Sequence, residues 1–77
     1  MSPINRTAVK SSSIRSIGYD AETLTLEIEF GARGVYQYDL VPEFLFRSLM
    51  RAPSKGAYFN RHIAPHYGSR DVTQTLR

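Results

Sequence analysis

The sequence predicts an α+β domain: a three-stranded antiparallel β-meander with two short C-terminal helices packed on one face. Three observations carry this expectation. Leu24-Thr25-Leu26-Glu27-Ile28-Glu29-Phe30 alternates apolar and polar without a break, the period-2 signature of a half-buried strand. Gly31-Ala32-Arg33-Gly34 follows, with glycines that tolerate the positive φ of a tight turn, and Val35–Leu40 returns as the second arm. Beyond Val41, apolar residues recur at helical spacing, first over Phe44–Arg51 and again after Ser54.

A chain of 77 residues makes one small domain, whose core supplies only ~3–5 kcal/mol of net stability. It contains no cysteine, so neither a disulfide nor a thiolate metal site supports it. There is no apolar N-terminal run of signal-peptide type and nothing near the ~20 apolar residues of a membrane span. A cytoplasmic protein without cofactor, metal or membrane partner is expected. The net charge of +3 is too small to name a polyanion as partner, but its distribution is uneven. Residues 12–40 carry Arg15 and Arg33 against Asp20, Glu22, Glu27, Glu29 and Asp39, whereas residues 42–63 carry Arg47, Arg51, Lys55 and Arg61 against Glu43 alone. A polyanion would be steered to the helical half.

Met1–Ser11 shows no periodicity and is expected to be mobile. Ser11-Ser12-Ser13 is either linker or strand entry. Ile14–Tyr19 reads as the first strand, with Ile17 and Tyr19 on one face; the alternative has Ile14 facing in. Asp20-Ala21-Glu22-Thr23 is a turn, because Asp accepts from the backbone two residues ahead. A three-residue loop, Gly31-Ala32-Arg33, sets Ile28 opposite Tyr36 and Leu26 opposite Tyr38, which turns both tyrosines inward. Thr25, Glu27, Glu29, Gln37 and Asp39 are then left on the open face. An acidic open face repels phosphate and argues against stacking of bases on the sheet.

Val41-Pro42-Glu43 starts a helix, with Pro at the first helical position and Glu at the positive end of the dipole. Leu45, Phe46, Leu49 and Met50 form its core stripe; Phe44, Arg47 and Arg51 share the opposite one. Ala52-Pro53 ends it. Ser54 caps a second helix, Lys55–Ala64, whose apolar stripe is Tyr58, Phe59, His62 and Ile63. Gly68–Arg77 is polar, with Val72 and Leu76 spaced for one amphipathic turn.

Three constellations carry candidate chemistry. Ser54-Lys55-Gly56 is either a helix cap with a solvated lysine or an anion pocket at a helix start. Phe44, Arg47 and Arg51, extended by Lys55 and Arg61, are either a solvated face or a surface that holds a phosphate backbone and stacks a base. His62 and His66 have the i, i+4 spacing of a zinc pair, but Pro65 lies between them and no cysteine or nearby carboxylate completes a shell; packing of a histidine on Tyr58 or Tyr67 is the plainer reading. No catalytic set stands out, so a binding module and not an enzyme is expected. An enzyme using His62 near Tyr36 or Tyr38 would need a deep pocket with converging side chains.

Ser12-Ser13-Ile14-Arg15-Ser16-Ile17-Gly18-Tyr19-Asp20, Leu24–Phe30, Val35-Tyr36-Gln37-Tyr38, Val41-Pro42 and Ala52-Pro53-Ser54-Lys55-Gly56-Ala57-Tyr58-Phe59-Asn60-Arg61-His62-Ile63 together resemble the KTSC domain. That family takes its name from a C-terminal appendage of some lysyl-tRNA synthetases and also occurs as small free-standing bacterial proteins. The first turn departs from the family's Asp-Pro-Glu-Thr-Gly, reading Asp20-Ala21-Glu22-Thr23-Leu24. The resemblance implies a domain over residues 12–67, flanked by a flexible segment at 1–11 and a polar tail at 68–77. It also implies Tyr36, Tyr38, Tyr58, Phe59 and His62 as motif residues and, from the synthetase fusions, RNA binding. The expected function is therefore weak, sequence-independent binding of RNA or tRNA through Arg47, Arg51, Ser54, Lys55, Gly56 and Arg61, with Phe44 as a stacking group. The alternative is a protein-interaction module or homodimer that uses the exposed edge of the third strand and Phe44. The same face assignment makes Ile28→Ala and Leu49→Ala cost ~2–5 kcal/mol each in a denaturation experiment, and Glu27→Ala nearly nothing.

Overall fold

The computed structural model of the chain describes residues 4–73. It is α+β, as the sequence predicts, but the antiparallel sheet has five strands and not three. In chain order and in space these are β1 (Arg6–Ala8), β2 (Ser16–Asp20), β3 (Thr25–Glu29), β4 (Val35–Tyr38) and β5 (Ser69–Asp71). The helices α1 (Glu43–Arg51) and α2 (Lys55–His62) lie between β4 and β5 in sequence and cover one face.

The central meander follows from local chemistry. The Asp20 carboxylate accepts the Glu22 amide at 2.9 Å and closes the first turn. Gly31–Arg33 forms a single 3-10 turn between Phe30 and Gly34, with φ of 67° at Gly31 and 99° at Gly34. The three-residue loop sets Ile28 opposite Tyr36 and Leu26 opposite Tyr38. Both tyrosines therefore share the core face, where Tyr38 is buried and Tyr36 partly so. Ile17, Leu26, Ile28, Val41, Leu49 and Ile63 have at most 1 % of their surface exposed and form the centre of the core. Ile14, just ahead of β2, is buried with them.

Both edge strands are short, polar and absent from the periodicity. Arg6–Ala8, within the stretch read as aperiodic, pairs with β2, and Ser11–Ser13 lies in the hairpin between them; the Ser11 hydroxyl accepts the Ser13 and Ile14 amides at 3.3 Å. Ser69–Asp71, within the stretch read as a polar tail, pairs with β4. Val72 is buried behind it and donates its amide to the Val35 carbonyl at 2.9 Å, in a strand extension and not in an amphipathic turn. Leu76, its expected partner, lies outside the described residues. The third predicted strand, β4, is thus an interior strand, and the open edge expected there is occupied by β5.

The second face of the sheet corrects the sequence reading. Arg6, Gly18, Glu27, Gln37 and Arg70 stand opposite one another, one per strand, across all five strands. Glu27, expected in solvent, has no exposed surface. Its carboxylate pairs with Arg6, reaching across Gly18, and accepts Gln37 Nε2 at 2.8 Å. Arg70 donates to Gln37 Oε1 at 3.3 Å and to the Asp39 carboxylate at 2.6 Å. Ser16 joins from the next row, accepting Arg6 Nε at 2.9 Å and donating to Glu29 at 2.8 Å. Thr25, also expected outside, is buried, with its hydroxyl 2.8 Å from that of Thr23. This face is a charge-compensated network and not an acidic surface. Gly18 makes it possible: a Cβ there would lie 2.5 Å from the Asn5 carbonyl oxygen and 2.7 Å from Ile4 Cγ2.

The α1 stripe is as read: Leu45 and Leu49 are buried, Phe46 and Met50 pack at the margin, and Phe44, Arg47 and Arg51 face away. Pro42 is extended, with ψ of 147°, so it caps the helix instead of entering it. Tyr19 stacks on Phe46 with ring centroids 5.0 Å apart and donates its hydroxyl to the Val41 carbonyl. Leu24 and Leu40 have φ of 58° and 59°, left-handed conformations that cost on the order of 1 kcal/mol or more each for a side chain other than glycine.

Urea denaturation tests the network. Glu27→Ala is expected to lower stability by about 2–3 kcal/mol, since hydrogen bonds to a charged group are lost. Gly18→Ala should also unfold the protein at markedly lower urea, because the added methyl meets backbone that cannot yield.

Candidate nucleic-acid interface

The sequence-predicted site residues lie on α1, α2 and the joint between them. Ser54 is extended, and its hydroxyl accepts the Ala57 amide at 3.3 Å, satisfying an orphan donor of the first turn of α2. Lys55 donates from Nζ to the Ala52 carbonyl at 3.0 Å, where α1 leaves unpaired acceptors. Gly56 admits the Ser13 side chain, whose hydroxyl would lie 2.5 Å from a Cβ placed there. These three residues therefore form the joint: each has a task in capping or packing the helices.

The outward stripe of α1 begins at Phe44, 66 % exposed, and continues through Arg47 to Arg51. Arg47 donates to the Glu43 carboxylate one turn earlier at 3.0 Å, an exposed i, i+4 pair of small energetic weight. Arg61 is exposed in the last turn of α2. Among the described residues Arg51, Lys55 and Arg61 form no ion pair, whereas Arg6 and Arg70 on the opposite side of the sheet do.

The motif residues Tyr36, Tyr38, Tyr58, Phe59 and His62 divide between core and margin. Phe59 is buried, with its ring edge-on to Phe30 at 5.4 Å and to Tyr38 at 5.3 Å. His62 is exposed and tilts over Tyr58 with centroids 4.5 Å apart; this is the aromatic packing expected of it. Phe30, Arg33, Tyr36, Tyr38 and Ser69 line an open depression of about 400 Å³ at the end of the core face. The Arg33 guanidinium lies 4.9 Å from the centre of the Phe30 ring. The sequence alone does not single out Arg33 or Ser69, since neither belongs to a motif. Only the β4–β5 pairing and the hairpin turn bring them to the tyrosines.

A β-meander closed by two edge strands, with a pair of helices that carry outward-facing cations, defines a small α+β module. The chain belongs to the KTSC domain family: the family model, described as KTSC domain, matches residues 10–67. The crystal structure of a KTSC domain protein from Yersinia pestis is similar, with a TM-score of 0.86 and 42 % identity over 90 % of this chain and 97 % of that one. An uncharacterised protein of Stutzerimonas stutzeri is 43 % identical over 65 residues, 83 % of this chain and 92 % of its own length. A lysine–tRNA ligase of Nostoc punctiforme is 43 % identical over 54 residues, 70 % of this chain but 10 % of the ligase. One of Trichormus variabilis is 41 % identical over the same length. No helix among the described residues is long and apolar enough to cross a membrane.

Burial raises the Tyr38 phenol above its ordinary value of 10.0, with Tyr36 adding to the shift and Arg33 opposing it. Tyr19 is raised too, by burial first and then by Glu43 and Asp20. A raised folded value favours the neutral form. The stabilisation is fully present below pH 10.0 and is lost as pH rises through the folded values. Urea midpoints are expected to fall on the alkaline side, and Tyr38→Phe should remove part of that fall while Tyr19 retains the rest.

Proposed function

We propose that the chain is a binding module that holds RNA, tRNA above all, weakly and without sequence preference through the outer side of its two helices. The observation that carries this reading is the set of unpaired cations on the two helices: Arg51, Lys55 and Arg61 have no carboxylate partner among the described residues, and Glu43 is the one acidic residue of that half, against four cations. On the open face of the sheet, by contrast, Arg6 and Arg70 are paired with Glu27 and Asp39. Phosphate contacts from a handful of such side chains supply sequence-independent affinity. The likeness to a segment of lysine–tRNA ligases supports tRNA as the natural polyanion, because those relatives act on it. No catalytic step is part of this reading; His62, packed on Tyr58, is spent on an aromatic contact.

The test is fluorescence anisotropy of labelled tRNA with the wild type and with Arg51→Glu/Arg61→Glu. Both positions are exposed; a glutamate in the last turn of each helix costs about 0.3–1 kcal/mol against the helix dipole, so the variant's urea midpoint is measured alongside to confirm that it is folded. The wild type is expected to lose roughly 20- to 40-fold in affinity between about 50 and about 200 mM salt, the slope of about three phosphate contacts. The double variant should bind at least about tenfold more weakly at low salt. Equal binding by the two proteins, or no binding by the wild type, overturns the proposal.

A further inference from the structure

The depression lined by Phe30, Arg33, Tyr36, Tyr38 and Ser69 has the volume of a small-molecule site, and none of these residues belongs to α1 or α2. Its walls are aromatic. Phe30 meets Tyr36 edge-on at 5.9 Å, and Phe59 meets both Phe30 and Tyr38 in the same way. Tyr38 and Ser69 are cross-strand partners, so both side chains leave the sheet on the core face.

The polar groups here are uncommitted. Among the described residues the Tyr19 hydroxyl is the one tyrosine hydroxyl with a hydrogen-bond partner, and no buried side-chain polar atom lacks one. The Tyr36 and Tyr38 hydroxyls therefore reach the surface unpartnered, although only 6 % of Tyr38 is exposed. Arg33 forms no ion pair among the described residues, and its guanidinium lies 4.9 Å from the centre of the Phe30 ring. Its charge also reaches the Tyr38 phenol, where it opposes the rise caused by burial and by Tyr36. That rise keeps Tyr38 neutral, and so a hydrogen-bond donor.

One cation and three hydroxyls thus face a single aromatic-walled depression. Carboxylate is the group that suits them, since its two oxygens match the guanidinium fork and accept from hydroxyls. The walls favour a flat ring behind it. Asp71 limits the charge: it stands opposite Tyr36 on the same face, and hydrogen bonds from Thr73 hold its carboxyl below the ordinary value. A ligand with one negative charge is repelled less there than one with two. We propose that this depression binds a planar aromatic carboxylate, its ring against Phe30 and Tyr36 and its oxygens on Arg33 and the hydroxyls of Tyr36, Tyr38 and Ser69. The site is independent of the cationic helices.

Amide-shift titration of the full chain with naphthoate, naphthamide and naphthyl phosphate tests this. Naphthoate is expected to shift the amides of Arg33, Tyr36, Tyr38 and Ser69 and to half-saturate at about 1 mM or below. Naphthamide and naphthyl phosphate should each bind more weakly. Arg33→Gln should weaken naphthoate at least about tenfold, and Tyr36→Phe, which keeps the ring, at least about threefold. Neither change should alter naphthamide to the same degree, as it would if Arg33 served only to pack on Phe30. No naphthoate shifts at these amides, equal binding of naphthoate and naphthamide, tighter binding of the phosphate, or equal weakening of both ligands by Arg33→Gln would each overturn the proposal. So would shifts of the same amides by tRNA and not by naphthoate, which would assign the depression to an RNA surface.

Discussion

A carboxylate without access to water sits in the middle strand of the sheet, and the pairing of Glu27 with Arg6 and Gln37 is what the rest of the architecture is built around. Removing a charge from water is costly unless it is paired and hydrogen-bonded. Here both requirements are met by Arg6 and Gln37 of the same cross-strand row, and no buried side-chain polar atom among the described residues lacks a partner. The arrangement needs a gap in β2, because the Arg6 side chain must pass over that strand to reach the carboxylate. Gly18 is the gap. One residue without a side chain thus lets a polar edge strand attach itself to a sheet whose hydrophobic pattern does not call for it.

The helical face obeys ordinary hydrophobic packing, and it was the part most readily seen in the sequence. Leu24–Phe30 alternates strictly, the loop between Phe30 and Gly34 has one length compatible with inward tyrosines, and Ser54 and Pro42 mark helix starts by side-chain chemistry alone. Register, core face and both helices follow from such local signals. β1 and β5 do not. Each is three residues of polar chain, too short to show a period, and each is specified by a partner far away in sequence: Arg6 by Glu27, Arg70 by Gln37 and Asp39. Glu27 reads as solvated for the same reason, since a polar residue alternating with apolar ones looks solvated until something lies over it.

The candidate site shows the same division. Arg47, Arg51 and Phe44 share a stripe because helical spacing puts them there, and the structure keeps them on the surface. Ser54, Lys55 and Gly56 have an anion-binding composition, yet their polar atoms serve the chain itself, where a cap and a carbonyl contact join two short helices. Composition shows which groups are present; their occupation depends on the fold. Arg33 and Ser69 come to Tyr36 and Tyr38 only through tertiary pairing, beyond the reach of any local pattern.

The two short outer strands also settle how this module can be wired to other chains. β1 and β5 occupy opposite margins of the sheet, so the backbone enters at one side and leaves at the other, about 19 Å away for four inter-strand spacings. Splicing such a unit into a surface loop of a host would force that loop's two anchor points apart. Joining it end to end with a neighbour demands nothing of the host's geometry. Concatenation at a terminus is therefore the low-cost route by which a larger polypeptide acquires this fold.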